Sequence, residues 1–531
     1  MSQQQDFQRG PEWSWHPGHN PWLIALTVTL ATFMEVLDTS IANVALPHIA
    51  GGLSAGVDES TWVLTSYLVS NAVVLPLSGW LSNRFGRKRF YMTCVAIFAT
   101  SSFLCGIAPS LEALILFRVL QGAGGGGLQP SEQAILADTF PASKRGMAFA
   151  VYGMAVVAAP ALGPTLGGWI TDNFTWRWIF FINVPVGIAS LLLTTRMVTD
   201  PPYMQTSKKA GVKIDYIGFA LIAIGLGFLQ VVLDKGQRDD WFESHYIVAF
   251  TMIAVLSLAG ALFWEWFHKD PVVDIHLLRD RTFLMGNVLM FMVGFALLAS
   301  TLLLPLFAQT MMGYTAELAG MVISPGGVAI ILLLPLVGYL TTHYDARLLI
   351  AFGLFVVSVS LFRMTRFDLG VDFSTLMWTR VLQACGLAFL FVPINTAAYS
   401  FLPREKNNAA SGFINLSRNI GGSFGISVVT TMLDRRAQFH QVNLASHVNS
   451  YNPGLLHALQ AASSLLFLKG VSTADAARKA YGLLYGVVAR QANMLAYIDD
   501  FKLLAVAILV MVPFVFLMKK STPQKGAMAV H

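Results

Sequence analysis

Charged side chains set inside apolar stretches are the residues of this chain best able to do chemistry. Glu35 and Asp38 stand three apart in the first such stretch, and Arg118, Arg380 and Arg418 interrupt later ones. A three-residue spacing puts both carboxylates on one face of a helix. A charge at the centre of a bilayer costs about 2.5–3.5 kcal/mol on insertion scales, so each needs a reason to be there. Counted at ~1.5 Å per residue from the ends of their apolar runs, Glu35, Asp38 and Arg118 all lie roughly 20–24 Å from one boundary of a ~30 Å hydrocarbon core. A carboxylate facing an arginine at that depth can bind and release a proton, desolvation favouring its neutral form and the arginine its charged form. A permanent ion pair, or an aspartate capping a broken helix, is the alternative. Arg380 is expected to be interior, with a structural role as its other reading, and Arg418 is expected to be interior too.

Other strings imitate catalytic motifs without their context. Gly122-Ala-Gly124-Gly-Gly-Gly127 fits the dinucleotide fingerprint, but no strand precedes it. Gly421-Gly-Ser423-Phe-Gly425 fits a nucleophile elbow, yet lies in mid-helix, where small residues let backbones approach. The chain has no Gly-Lys dipeptide, hence no phosphate-binding loop, and no H-E-x-x-H. His16 and His19 read as solvated tail residues rather than metal ligands. No enzyme, metal site or cofactor is expected.

The elements that must hold these charges are membrane helices. Of 531 residues, 55% are hydrophobic and 12% charged, about half the usual ~25% charged share of soluble domains. Three cysteines lie in apolar runs, and a net charge of +6 is small for this length, pointing to topology rather than nucleic acid. Fourteen apolar runs follow, near 22–47, 61–82, 90–108, 111–133, 147–170, 176–198, 215–233, 244–267, 283–308, 319–341, 348–366, 375–400, 411–433 and 501–519. The first is too long for a signal-peptide core and is read as retained. Twenty basic residues fall on the side of both termini and four in the short loops opposite, which predicts cytoplasmic termini. Residues 434–500 break the rhythm: Leu455–Leu468 is too short to span, and Ser472-Thr473-Ala474-Asp475 opens an amphipathic stretch, predicting an outer helical hairpin.

An internal repeat divides the chain. PLSGWLSNRFGRK (76–88) recurs as PLVGYLTTHYDAR (335–347), and FRVLQGAG (117–124) as TRVLQACG (379–386), at offsets of 259 and 262 residues. Two matches at nearly one offset indicate duplication. The predicted fold is all-α and polytopic: a cytoplasmic tail 1–21, a six-helix half 22–198, a linker with two inserted helices 199–282, a second six-helix half 283–519 that includes the long 434–500 segment, and a tail 520–531. Paired halves of this kind occur in secondary transporters, rocking around a central site.

Four strings complete the pattern: LDTSIANVALP (37–47), GWLSNRFGRK (79–88), LFRVLQGAGGGG (116–127) and APALGPTLGG (159–168). In this order they resemble the major facilitator superfamily, and more narrowly its fourteen-helix drug:proton antiporters of the EmrB/QacA type, over roughly residues 22–519. The resemblance implies an inner-membrane antiporter that exports hydrophobic compounds against protons, driven by the proton gradient. It implies proton coupling at Asp38 with Arg118, Glu35 either sharing that role or meeting a cationic substrate, and a substrate cavity holding Glu35, Asn43, Arg380 and Arg418. Gly79, Asn83, Arg84, Gly86 and Arg87 after helix 2, and Pro160, Gly163, Pro164, Gly167 and Gly168 in helix 5, correspond to conformational motifs. Asn83 stands where the family has aspartate, which weakens a charge relay there, and Ala159 replaces a common glycine. The long outer segment is similar to the Gram-negative EmrB branch, whose members work with a periplasmic adaptor and an outer-membrane channel. An exporter of one metabolite or siderophore-like compound, and a ligand-binding membrane receptor or scaffold, are the competing readings.

Overall fold

The computed structural model describes residues 17–141, 143–201, 215–268, 271–448 and 453–520. The tail before residue 17 with His16, most of the 196–215 loop and the tail after residue 520 lie outside the described residues. In chain order the main helices are α1 (Pro21–Gly52), α2 (Trp62–Phe85), α3 (Arg87–Gly106), α4 in two segments (Leu111–Gly125 and Leu128–Thr139), α5 (Arg145–Asn173) and α6 in two segments (Trp178–Phe181 and Asn183–Met197). They continue with α7 (Tyr216–Lys235), α8 (His245–Phe267), α9 (Arg281–Thr310), α10 (Ala316–His343), α11 (Ala346–Met364), α12 (Phe373–Tyr399), α13 (Asn407–Ser446), α14 (Pro453–Leu468) and α15 (Thr473–Val515).

Among the described residues, eleven helices are long and apolar enough to cross a membrane. Three long elements fall outside that count for local reasons. The glycines at 126 and 127 split α4; α13 buries Asn407, Asn408 and Asn415 among its apolar residues; and α15 opens with a half that is amphipathic in sequence. Apolar runs therefore understate these helices, and residues 434–500 are largely helical: α13 runs on to Ser446, α14 folds back, and α15 starts at Thr473. Ser472 caps α15 by accepting from Asp475 N, as a Ser-x-x-Asp start requires.

α1–α6 form one half, and α9–α13 with α15 the other. Between them α7 packs on α2 and α13, tied by Gln230 Nε2 donating to Ser423 Oγ at 2.9 Å. α8 packs chiefly on α7 and leaves Leu256, Phe263 and Phe267 more than half exposed, as a lipid-facing helix does. The halves meet along α2–α13, α5–α10, α4–α13 and α5–α12.

Close approach within the second half depends on glycine. A Cβ on Gly421 or Gly425 would strike the carbonyl of Phe291 or Phe295 on α9, and one on Gly294 the carbonyl of Arg418 on α13. In a bilayer, such packing replaces the hydrophobic effect as the force joining helices. Gly421→Val is expected to destabilise the detergent-purified protein by about 1–3 kcal/mol through overpacking, read as a lower unfolding midpoint. An unchanged midpoint would mean that α9 and α13 do not pack this closely.

Candidate functional site

Five helices deliver one buried polar cluster. α1 supplies Asp38, α2 the Val63 carbonyl, α3 Ser102, α4 Arg118 and Gln121, and α6 Asn183. Arg118 Nη1 donates to Asp38 Oδ2 at 2.6 Å and to Gln121 Oε1 at 2.7 Å, while its Nε donates to Val63 O at 3.0 Å. The other carboxylate oxygen of Asp38 accepts from Asn183 Nδ2 at 2.6 Å and Gln121 Nε2 at 3.1 Å. Both amides also reach Ser102 Oγ, at 2.8 and 3.1 Å. Neither charged side chain is exposed to any measurable extent. The Arg118 guanidinium lies 4.3 Å from the centre of the Tyr67 ring, a favourable place for a desolvated cation.

Tyr67 links this cluster to a second. Its hydroxyl donates to Glu35 Oε1 at 2.8 Å, and Gln129 Nε2 donates to Glu35 Oε2 at 2.6 Å. Gln129 Oε1 in turn accepts from Arg418 Nη2 on α13 and from the Tyr152 hydroxyl on α5, so Glu35 communicates with the opposite half. Asn415 on α13 donates to Gln133 Oε1 at 3.0 Å, and Asn419 to Asn71 Oδ1 at 3.1 Å, completing a polar seam between the halves.

The four residues expected to share a cavity divide. Glu35 and Arg418 meet through Gln129. Asn43 is exposed further along α1, outside this network. Arg380 is buried in the second half, with its Nη1 on Ser300 Oγ (3.1 Å) and Gln383 Oε1 (2.6 Å) and its Nη2 on Thr301 Oγ1 (3.0 Å). The 262-residue offset carries Arg118 and Gln121 onto Arg380 and Gln383, and Asp38 onto Ser300. The second half therefore keeps the arginine and its glutamine and has a hydroxyl in place of the acid.

At the end of the molecule that bears Arg84 and Arg89, here the basic end, the halves are in contact. Gly86 turns α2 into α3 at φ +91°, a left-handed value that favours glycine. Arg87 differs from a solvated loop cation: it is 2% exposed, pairs with Asp138 Oδ2 at 2.6 Å and donates to Asn408 Oδ1 of the other half at 2.8 Å. Asn407 Nδ2 adds a 2.8 Å bond to Asp138. Asn83 accepts from Asn408 Nδ2 at 2.6 Å, an uncharged contact where a carboxylate would have faced the start of α13. Gly79 lies so close that a Cβ there would sit 2.8 Å from Asn408 O, whereas Arg84 is exposed.

In α5 the prolines leave the helix unbroken. Pro164 lacks an N–H for the Pro160 carbonyl, and Ser40 Oγ on α1 donates to that carbonyl at 3.2 Å. Gly163 and Gly167 admit Ser40 and Ile41 closely; around Gly168 a Cβ would meet nothing within 4 Å. Gln121, Asn183, Gln129 and Tyr67 are not singled out by the sequence. The repeated R-V-L-Q was a signal for Gln121; the others are ordinary polar residues until helices bring them together.

Arg87→Ala should loosen the basic end. With Cys94, Cys105 and Cys385 replaced by alanine, a cysteine at Ala409 is expected to react with maleimide about tenfold faster in the R87A protein, the factor that ~1.4 kcal/mol of lost closure gives. Equal labelling rates would show that the Arg87 contacts do not hold this end shut.

Comparison with known proteins agrees with this geometry. Residues 28–426 match the family described as Major Facilitator Superfamily. The multidrug export protein EmrB of Haemophilus influenzae is 40% identical over 432 residues, 81% of this chain and 84% of that protein. The fatty acid resistance protein FarB of Neisseria gonorrhoeae is 37% identical over 93% of this chain and 96% of its own length. Among solved structures, the proton:xylose symporter XylE covers 93% of this chain and 96% of its own at a TM-score of 0.59 and 14% identity, a likeness of fold alone. With its paired halves, its basic turn after α2 and its intramembrane Asp–Arg pair, the chain belongs to the major facilitator superfamily and, within it, to the EmrB-type group.

Proposed function

We propose that this protein exports hydrophobic toxic compounds across the bacterial inner membrane in exchange for protons, by alternating access between its two halves. The observation that carries the reading is the Asp38–Arg118 pair, wholly buried and held by two further side chains, Gln121 and Asn183. A purely structural pair would serve equally in either half; the acid occurs only in the first, so the two halves do different work. Protonating Asp38 releases Arg118 and removes a charge that five helices now converge on, a local change with the reach to favour one arrangement over another. Glu35 lies beside it, tied through Gln129 to Arg418, so a substrate or proton reaching Glu35 is felt across the seam.

In this reading fourteen helices span the membrane, α14 lies outside, and both termini are cytoplasmic, because twenty basic residues gather on the basic end's side. The proton gradient supplies the energy, and no cofactor is required. The names of the relatives support small-molecule export, and the largely apolar composition of the chain suits bulky hydrophobic substrates. The helical projection built from the far ends of α13 and α15 with α14 exposes Phe439, Val442, Phe467, Leu468 and Val487. That apolar surface supports docking to a periplasmic adaptor, and through it to an outer-membrane channel. Export of a single metabolite uses the same machinery and differs only in the breadth of compounds carried, which a resistance profile of a susceptible strain resolves.

Asp38→Asn keeps the side-chain shape and abolishes titration. In proteoliposomes it is expected to lower proton-driven ethidium efflux by about 100-fold, the low end of what a positioned proton carrier contributes, while ethidium still binds at equilibrium. Wild-type efflux with an unchanged pH dependence would move the proton site to another residue. An engineered cysteine within 200–212 should react only from the cytoplasmic side, and labelling from outside would refute the topology. Replacing residues 449–472 with a short linker should spare efflux in vesicles but remove resistance in whole cells; loss of both would make the projection part of the transport fold.

A further inference from the structure

Glu132, in the second segment of α4, takes no part in the site above, yet it is fully buried. Its Oε1 accepts from Thr29 Oγ1 of α1 at 2.5 Å, and its Oε2 has no hydrogen-bond partner. Thr32, one turn along α1, directs its hydroxyl at the same carboxylate, so α1 offers it only neutral donors. The groups facing this carboxylate from the surrounding helices are Glu35 on α1, Tyr91 on α3, Tyr152 on α5 and, beyond Gln129, Arg418 on α13. Tyr67 of α2 is turned to Glu35, and Arg87 is bound to Asp138 six residues further along α4. No cation among the described residues is hydrogen-bonded to or paired with Glu132.

An ionised carboxylate so placed would be an uncompensated charge in hydrocarbon, which membranes tolerate only for function. Packing does not call for the acid. Past the break, Pro130 and Ala134 match Pro393 and Ala397, which sets the uncharged Asn395, equally buried, at the corresponding point of α12. Glu132 also sits at a mechanical junction. Its segment begins after the break at Gly126–Gly127, holds Gln129 and Gln133 against the polar seam, and ends at Asp138, which Arg87 and Asn407 clamp at the basic end. Any opening of that end moves this segment, and with it the surroundings of Glu132.

We propose that Glu132 is a second proton-binding site of the transport cycle, protonated while the basic end is closed and ionised when that end opens. The proton leaves Glu132 toward the basic end and is replaced from the side of Glu35; no other bond is made or broken. The inference rests on the reading of the chain as a proton-driven exporter, and its test separates the two.

Full-length wild type, E132Q and E132D are reconstituted in liposomes with ethidium as the probe. Driven efflux under a pH gradient is compared with ethidium–ethidium exchange, which needs no net proton movement, and infrared spectra follow carboxylic-acid bands between about pH 5 and pH 9. Glutamine keeps the Thr29 hydrogen bond, so E132Q retains the local packing. Expected are a driven rate about tenfold lower in E132Q with exchange nearly unchanged, partial recovery in E132D, and loss of one titrating band in E132Q. The proposal is overturned if the titrating bands of wild type and E132Q coincide. It is equally overturned if driven efflux and exchange fall together in folded E132Q and E132D does no better, or if E132Q pumps at the wild-type rate. Should wild type itself show no proton-driven efflux, the exporter reading fails on its own, and the infrared comparison alone decides for Glu132. Should E132Q not fold, a displaced band in E132D supports the proposal and an undisplaced one overturns it.

Discussion

A charge in hydrocarbon has to be met by another group or neutralised, and the first half of this protein is organised around that constraint. Asp38 and Arg118 come from helices far apart in sequence, and neither is tolerable alone at that depth. Meeting both draws in the Val63 carbonyl, Gln121, Ser102 and Asn183, so that α1, α2, α3, α4 and α6 are tied at one level. A buried ion pair of this kind adds little stability over an apolar core of the same volume, though breaking one partner costs about 3–5 kcal/mol. Its worth is therefore in specifying an arrangement, and in making that arrangement sensitive to a single proton.

Duplication supplied the same framework twice and chemistry once. Arg380 and Gln383 repeat the geometry of Arg118 and Gln121 down to the side-chain bond, 2.6 Å against 2.7 Å. The partner of Arg380, however, is Ser300. Hydroxyls and an amide satisfy some guanidinium donors and leave Nε without a partner, so among the described residues the second half carries a cation with no acid paired to it. The two halves thus combine unequal electrostatics with similar packing, a suitable condition for two stable arrangements of one fold.

Contact between the halves adds polar side chains to the close packing that also holds each half together. α9 and α13 approach through glycines until backbones touch, which resists sliding. The seam between halves adds to such packing, seen where Gly146 meets Gly338 and Phe149 stacks on Tyr399, a set of amides, hydroxyls and two arginines: Asn415 to Gln133, Asn419 to Asn71, Arg418 to Gln129, Arg87 to Asn408. Polar contacts of this type re-form with other partners or with water after separation, whereas the rings packed between α5 and α12 must find new apolar neighbours when the seam opens.

The sequence by itself determined the membrane class, the helical repeat and the places of the charges within their apolar runs, because apolar length and charge position are properties of a linear chain in a layered solvent. It also named Asp38 and Arg118 correctly as neighbours, since depth along a helix follows from counting. Which polar residues complete the site was decided only by tertiary structure. Gln129, Asn183 and Tyr67 acquire their roles from neighbours up to 289 positions away, and an asparagine facing lipid or water has the same letter as one holding a carboxylate. Arg87 shows the same limit in reverse: it stands in a basic string beside Arg84, Lys88 and Arg89, yet it is buried because Asp138 and Asn408 arrive from two other helices. Helix ends were also misjudged where apolarity stops before hydrogen bonding does, as in α4, α13 and α15. Hydropathy reports the solvent a segment meets, whereas helix length and side-chain partnership are set by what packs against it.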